Sequence, residues 1–173
     1  MPFLADDIRD KFHKFTASED CSADWEPLIS IGTAAGHVGL SVSALRKYET
    51  EGLLLFHRTA SGHRLLSRAD IERIRVIQRL INELGLNMEG IRRLLALLPC
   101  WQLRPCTDEE KNNCEAARDT VHPCWMVRRS ECKRLGVDCR TCRVYRYGAY
   151  CTEFMKSLLF NVESQAGGET TAS

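Results

Sequence analysis

The chain has 173 residues, which suits one domain or two small ones with enough side chains for a hydrophobic core. Its net charge of +1 hides an uneven distribution, since residues 28–98 carry ten Lys/Arg against six Asp/Glu and residues 1–27 carry three against seven. No apolar run approaches the roughly 20 residues of a membrane span, and the N-terminus lacks a signal-peptide pattern. We therefore expect a cytoplasmic protein, in a reducing compartment. Among its nine cysteines, we expect those that are clustered to bind metal or sense redox state rather than form structural disulfides.

An acidic extension, residues 1–27, precedes the first clear helical pattern. Ile8, Phe12 and Phe15 have helical spacing, which predicts either a short docking helix or a frayed tail. Cys21 lies far from the other cysteines, and we interpret it as a bystander rather than a ligand.

Two short helical patterns joined by a tight turn come next. Apolar residues recur at three- and four-residue spacing from Ile31 to Val38, and a glycine-leucine pair then interrupts them. Ser41 is placed to cap a second helix, and Gly52 stands where a left-handed residue would end it. Two helices joined this closely predict a helix-turn-helix, whose second helix can lie in the major groove of DNA.

A small hairpin and two further helices are predicted beyond this pair. Residues 54–56 and 64–66 flank a glycine-containing turn at 59–62 and predict the two strands of a wing. Ser67, followed three residues later by an aspartate, predicts a helix start, and Asn87 is placed to cap another helix that Pro99 ends. The apolar stripe of the first of these helices comprises Ile71, Ile74, Ile77, Leu80, Ile81 and Leu84.

Three motifs in series carry a family resemblance. LRKYETEGLL at residues 45–54, SGHR at 61–64 and LGLNMEGI at 84–91 follow the order of an LRxYExxGLL core, an SGxR wing and an LGxxxxxI helix pair. Residues 29–98 thereby resemble the winged-helix module of the MerR family of bacterial transcription regulators. The resemblance implies a mainly α fold with a winged helix-turn-helix, a small β wing and a dimerisation helix. It also implies a homodimer that binds double-stranded promoter DNA and distorts the promoter spacer so that RNA polymerase can align both promoter elements.

The candidate DNA-binding residues fall on the second helix and on the wing. They are Ser43, Ala44, Arg46, Lys47 and Tyr48 on the helix, and Arg58, His63 and Arg64 on the wing. Arg46 leads this set because a guanidinium can fork to a guanine edge or a phosphate. Tyr48 resembles the family tyrosine that bonds a backbone phosphate, with a core tyrosine as the alternative. Arg64 either binds a phosphate of the DNA backbone or forms an ion pair with an acidic helix residue.

Residues 108–121 are the predicted dimerisation helix. Thr107 is its expected N-cap, with Glu110 at the third helical position, and His122-Pro123 ends it because proline has no amide to donate. In the family that residues 29–98 resemble, this element pairs antiparallel with its twin, so we expect the dimer to form here through a shorter helix than usual.

Eight cysteines between residues 100 and 151 form the second notable feature. Pro99-Cys100-Trp101 returns as Pro123-Cys124-Trp125, which resembles the paired Cys-Trp modules of some bacterial proteins and predicts two half-sites or one site drawing ligands from both copies. Cys139 and Cys142 have a chelating spacing. The predicted ligands are Cys124, Cys132, Cys139 and Cys142, then Cys100, Cys106 and Cys114, and last Cys151, which lies on a predicted helix at 150–162 and has the alternative of a core residue.

An all-sulfur site suits an iron–sulfur cluster, zinc or a soft ion. The superoxide-response branch of the MerR family holds an iron–sulfur cluster just beyond its dimer helix, but its Cys-x2-Cys-x-Cys-x5-Cys spacing is absent here. Cys114, followed by Glu115 and Ala116, resembles the cysteine at the start of the dimer helix in the metal-sensing branch. We predict a [4Fe–4S] cluster that senses redox state or a gas such as O2 or NO, with a structural zinc module or soft-metal sensor as alternatives. No phosphate loop, Cys-His pair or acid–base pair indicates an enzyme.

The predicted organisation has four parts. Residues 1–27 are the extension, 28–98 the DNA-binding domain, 99–162 the dimerisation helix and cysteine-rich sensor region, and 163–173 a disordered tail.

Overall fold

The computed structural model describes residues 22–152 except Pro105, so the predictions for residues 1–21, including Cys21, and for 153–173 lie outside the described residues. The side chains of Ser22, Ala23, Gln102, Tyr150 and Cys151 lie outside them too, so the prediction for Cys151 as a ligand is not addressed. The elements in chain order are β1 (Ile29–Ser30), α1 (Ile31–Val38), α2 (Val42–Thr50), β2 (His57–Arg58), β3 (Arg64–Leu66), α3 (Arg68–Asn82), α4 (Met88–Ala96), α5 (Cys100–Leu103), α6 (Asp108–Asn113), α7 (Glu131–Arg134) and α8 (Arg143–Cys151). The protein is mainly helical with one small antiparallel sheet, which confirms the predicted fold class. Within residues 22–152, no helix has both the length and the apolar character needed to cross a bilayer.

The helix-turn-helix forms where the sequence predicts it. Ser30 caps α1, and Gly39 ends that helix with a left-handed backbone at φ 65°. Ser41 caps α2, because its Oγ accepts a hydrogen bond from the Ala44 amide at 3.1 Å. Gly52, at φ 72°, follows α2 and redirects the chain towards the wing.

The wing differs from the prediction at its first strand. The predicted strand at residues 54–56 is wrong, because β2 lies at 57–58, where it pairs antiparallel with β3. Leu54 and Phe56 are buried in the core, and the Leu55 amide donates to the Tyr145 hydroxyl at 2.8 Å instead of to a neighbouring strand. The other edge of β3 pairs with β1, which the sequence did not predict, so the strand order is β1-β3-β2.

α3 is the central helix of the hydrophobic core. Ser67 and Asp70 form the predicted capping box, with the Ser67 amide donating to Asp70 Oδ2 at 2.9 Å and the Asp70 amide donating to Ser67 Oγ at 3.1 Å. Of the predicted stripe, four residues are buried and Ile81 is partly buried. Leu84 is an error in the prediction, since α3 ends at Asn82 and the Leu84 side chain is 60% exposed.

The predicted dimerisation helix is wrong in length. Thr107 and Glu110 do form a capping box at the start of α6, but this helix ends at Asn113. Cys114 leaves it with an extended backbone, at φ −88° and ψ 116°, and its side chain is buried. The Asp119 carboxylate then accepts from two backbone amides, which favours a turn rather than a helix at residues 119–122. The described residues therefore offer no long helix beyond residue 98 for antiparallel pairing with a twin.

The last described helix begins seven residues before the helix predicted at 150–162, most of which lies outside the described residues. α8 starts at Arg143, and its buried residues Val144, Tyr145 and Ala149 join the same core as the helix-turn-helix. Trp125, from the second Cys-Trp copy, also belongs to that core. The cysteine-rich region and the DNA-binding module are thus packed together around one set of apolar side chains.

Candidate functional site

The second helix of the helix-turn-helix presents a polar face to solvent. Leu45 and Tyr48 point inward, with Tyr48 only 6% exposed, and burial raises the pKa of the Tyr48 hydroxyl. Ser43, Arg46 and Lys47 are exposed on the opposite side, where a DNA groove could receive them. The remaining helix residue of the predicted set, Ala44, is partly buried. The ring of Tyr48 is therefore part of the core, and a phosphate contact by its hydroxyl stays a prediction.

The wing is fastened to this helix through one carboxylate. Glu49, at the end of α2, accepts from Arg58 Nη2 at 2.7 Å and from Arg64 Nε at 2.8 Å. The alternative in which Arg64 pairs with an acidic helix residue is therefore what the structure shows, and Arg58 does the same. His63 is exposed, and its amide donates to Thr59 Oγ1 at 3.0 Å across the turn. The eight predicted DNA-binding residues thus lie on α2 and on the wing, and Glu49 joins these two parts through its ion pairs with Arg58 and Arg64.

Seven cysteines line a single cavity behind this module. The cavity has a volume of about 30 Å³, which could hold about two water molecules. All seven thiols are free of disulfides. They are Cys100, Cys106, Cys114, Cys124, Cys132, Cys139 and Cys142. The structure therefore brings together both predicted tiers of ligands whose side chains it describes.

Separate turns and helix ends deliver these thiols to the cavity. Cys100 and Cys124 come from the two copies of the Pro-Cys-Trp sequence, and their thiols hydrogen-bond to each other. Cys139 and Cys142 flank a 3-10 turn, in which the Cys142 amide donates to the Cys139 carbonyl at 3.2 Å. The duplicated sequence therefore contributes to one site rather than to two.

Burial and mutual contact perturb the acidity of the thiols. The hydrogen bond from the Cys124 thiol lowers the pKa of Cys100 to about 7, and the same contact raises the pKa of Cys124. Burial raises the pKa of Cys132 to about 11 and also raises the pKa values of Cys106 and Cys139. Burial and mutual contact therefore favour the protonated form of Cys106, Cys124, Cys132 and Cys139, and a cation that binds them displaces those protons.

Positive and aromatic side chains complete the cavity wall. Arg104 Nη1 lies 3.5 Å from Cys106 Sγ, where it can offset the charge of a thiolate. Lys111 Nζ sits 4.9 Å from the centre of the Trp101 ring, and both residues line the cavity. Ser130 also lines it, is 2% exposed, and its hydroxyl has no hydrogen-bond partner within the described part of the chain.

These residues fit a sulfur-ligated metal or cluster. Soft thiolate donors suit zinc, Cu(I) and iron–sulfur clusters, and an unpartnered buried hydroxyl suits a hydrogen bond to an anionic sulfur. No group of three or more His, Cys, Asp or Glu side chains in residues 22–152 already surrounds a single metal position. The thiols are gathered around one cavity of about 30 Å³. That volume is close to the size of a single ion, so the larger core of an iron–sulfur cluster would need the cavity wall to move outward.

Three buried residues connect the cavity to the DNA-binding module, and only Trp125 among them was singled out from the sequence. Arg73 on α3 is 2% exposed and donates to the backbone carbonyls of Leu53 (2.8 Å) and Tyr145 (2.6 Å). Trp125 and Tyr145 line the cavity and pack edge to face, with ring centres 5.3 Å apart. The repeated Cys-Trp sequence was a signal for Trp125, but nothing in the local sequence marks Arg73 as buried.

A second link joins the cysteine-rich region to the wing. Arg140 Nη1 lies 2.7 Å from His57 Nδ1 on β2, and the same guanidinium pairs with Asp138 at 2.7 Å. The hydrogen bond from Arg140 holds the pKa of the Asp138 carboxyl below its usual value. The wing therefore touches the cysteine-rich region at its base.

Comparison with known proteins assigns the front of the chain. Residues 29–98 match the family described as MerR HTH family regulatory protein. HspR of Streptomyces coelicolor, a heat shock protein by name, is 39% identical over 71 residues, which are 41% of this chain and 47% of HspR. The nodulation protein NolA of a Bradyrhizobium species is 42% identical over 66 residues, covering 38% and 27% of the two chains. The HTH-type transcriptional regulator GlnR of Bacillus anthracis is 35% identical over 71 residues, covering 41% and 54%.

The matched segment spans about half the length, or less, of these curated relatives. The similarity therefore groups residues 29–98 with DNA-binding regulators rather than with enzymes. None of the three names refers to a cofactor, and the cysteine-rich region lies beyond the matched residues.

Proposed function

Because residues 29–98 form a MerR-family helix-turn-helix domain, we propose that the whole chain is a transcription regulator that binds promoter DNA as a homodimer and acts on RNA polymerase. The exposed Arg46 and Lys47 on α2 support a groove contact, and the pair formed by Glu49 with Arg58 and Arg64 supports a wing held at a fixed angle to that helix. Sedimentation of the purified protein tests the dimer. A monomer at micromolar concentration that still binds a palindromic duplex tightly would contradict it.

The second part of the proposal is that the cysteine cavity binds an iron–sulfur cluster, of the [4Fe–4S] type, and senses redox state or a gas. The observation that carries it is the single cavity lined by seven thiols, which is more than one structural zinc requires. Such a cluster would supply a reversible one-electron redox centre that is sensitive to oxidants and to NO.

The protein's own residues would hold and tune that group. Cys124, Cys132, Cys139 and Cys142 remain the proposed main ligands, with the other three described cysteines as alternative donors. Arg104 offsets negative charge at the thiolates, and the Ser130 hydroxyl is placed to donate to a sulfur. Trp101 lines the same cavity beside Lys111.

One observation favours a second candidate, a structural zinc module or a soft-metal sensor. Trp125 and Tyr145 line the cavity and also belong to the main hydrophobic core, so closing the cavity around any metal would stabilise the whole fold. In this version the thiolates contribute folding free energy, and DNA affinity follows stability rather than a redox signal.

Metal analysis under oxygen-free conditions separates the two candidates. We expect a brown protein with visible absorption and with stoichiometric iron and sulfide, and we expect Cys124→Ser and Cys142→Ser to lose both. Cys21→Ser is the matched control and should retain them. A colourless protein with one equivalent of zinc, whose removal lowers the melting temperature without a redox-dependent change in DNA binding, would refute the cluster and establish the zinc module.

A further inference from the structure

Two aromatic side chains touch both the cysteine cavity and the connection between α2 and the wing. Trp125 Nε1 donates to the Gly52 carbonyl at 2.8 Å, and the Tyr145 hydroxyl accepts from the Leu55 amide at 2.8 Å. Both side chains are almost fully buried and both line the cavity. A change in the position of the cavity wall therefore acts directly on residues 51–56.

Arg73 fastens this contact to the core. Its Nε donates to the Leu53 carbonyl, its Nη1 donates to the Tyr145 carbonyl, and its guanidinium lies 4.2 Å from the centre of the Tyr145 ring. Backbone groups of Gly52, Leu53 and Leu55 are thus all held by side chains from outside the wing. The connection has little freedom to move while these contacts persist.

The position of this connection sets the angle between the two DNA-binding elements. α2 ends at Thr50 and β2 begins at His57, so residues 51–56 join them directly. A shift of about 1 Å in packed elements is of the size that switches binding states in other proteins. Loosening the connection would therefore change the match between protein and DNA.

The thiols are positioned to move the two aromatic residues. Cys124 immediately precedes Trp125, and the Cys142 carbonyl accepts from the Arg146 amide in the first turn of α8, the helix that carries Tyr145. When these thiolates bind a metal, their backbone is ordered together with Trp125 and Tyr145. When the metal leaves, that constraint is lost.

We infer that Tyr145 and Trp125 are positioning residues through which the occupant of the cysteine cavity sets the geometry of α2 and the wing. This inference rests on the proposed function. In the loaded protein the hydrogen bonds to Leu55 and Gly52 are held, and loss of the occupant loosens them and alters DNA affinity.

The test compares two forms of the full chain. One form is reconstituted anaerobically with ferrous iron and sulfide, and the other is stripped of metal by a chelator. The DNA is a duplex selected from a random library by the loaded wild-type protein. For the wild type we expect at least a tenfold difference in affinity between the two forms. Tyr145→Phe and Trp125→Phe should keep the iron content and the fold, but the difference should fall below threefold.

Tyr147→Phe is the matched control, because Tyr147 lies on the same helix, packs edge-on against Trp25 and does not line the cavity. It should retain the wild-type difference. Independently of any substitution, chelation of the wild type should accelerate hydrogen exchange at the Leu55 amide at least tenfold more than at the amide of Ile77, which is buried in α3. A general loss of stability on chelation would accelerate both amides alike.

The outcomes distinguish failure of this inference from failure of the proposed function on which it rests. Variants at Tyr145 and Trp125 that retain the full tenfold difference, or a Leu55 amide whose exchange ignores the chelator, overturn the inference and leave the proposed function standing. A wild type that binds the duplex with equal affinity in both forms also overturns the inference. Failure of the protein to take up stoichiometric iron and sulfide overturns the proposed cluster on which the inference rests.

Discussion

Replacing Arg73 by methionine should destabilise the protein far more than an exposed arginine substitution does. Methionine keeps much of the apolar stem but leaves the Leu53 and Tyr145 carbonyls without their donors, at about 1–3 kcal/mol each. Loss of the guanidinium stacked on the Tyr145 ring adds about 0.5–2 kcal/mol. The Arg73 Nη2, which is buried without a partner, offsets part of this, so we expect a net loss of about 3 kcal/mol.

Urea denaturation followed by circular dichroism measures this loss, with both proteins in the same metal-loaded state. For a chain of this length, about 3 kcal/mol corresponds to a fall of about 6–12 °C in melting temperature. Arg75→Met is the matched control, since Arg75 lies on the same helix, is exposed and pairs with Glu72, so its replacement should cost less than about 1 kcal/mol. If Arg73→Met loses no more free energy of unfolding than the control, the proposed role of the buried guanidinium is refuted.

Three further predictions concern the DNA surface, a turn and an ion pair. Arg46→Ala should weaken DNA binding by about 10- to 100-fold in fluorescence anisotropy while leaving the metal content unchanged, and equal affinity would exclude Arg46 from the interface. Gly52→Ala should lower the free energy of unfolding by about 1–2 kcal/mol, because the backbone there is left-handed and the new Cβ would displace the flexible Met126 side chain. Gly39→Ala should cost about 1 kcal/mol, since only backbone strain applies, and equal losses would contradict the clash. The hydrogen bond from Arg140 lowers the pKa of Asp138 in the folded state. The stabilisation that this ion pair gives the fold is therefore present above about pH 4 and disappears as the pH falls through the folded-state pKa of Asp138. The melting-temperature difference between the wild type and Asp138→Asn should therefore vanish in acid, and a difference that persists unchanged would contradict this role for the pair.

Capping and glycine positions were predictable because they depend on neighbours close in the chain. Ser41, Ser67 and Asn87 each accept from the amide three residues later, as the spacing predicts. Gly52 has the left-handed backbone expected of a glycine after a helix. In these cases the physical cause lies within a few residues, so a single sequence is sufficient.

The errors arose where distant side chains override local pattern. Residues 54–56 are apolar enough for a strand, but the Leu55 amide is bonded to a tyrosine hydroxyl 90 residues away. Residues 108–121 begin with a correct capping box, but Cys114 leaves the helix and is buried among the other cysteines lining the cavity. Local propensity is a weak prior against tertiary contacts of this kind.

The sequence by itself determined the helix-turn-helix, its family resemblance and the presence of a thiol-rich region, because motif order, caps and cysteine spacing are local properties. Only the tertiary structure decided that seven thiols share one cavity and that Tyr145 and Arg73 join that cavity to the helix and wing. Those contacts link residues 20 to 90 positions apart. Which of them form depends on how the whole chain buries its apolar surface, and no spacing within the sequence specifies that.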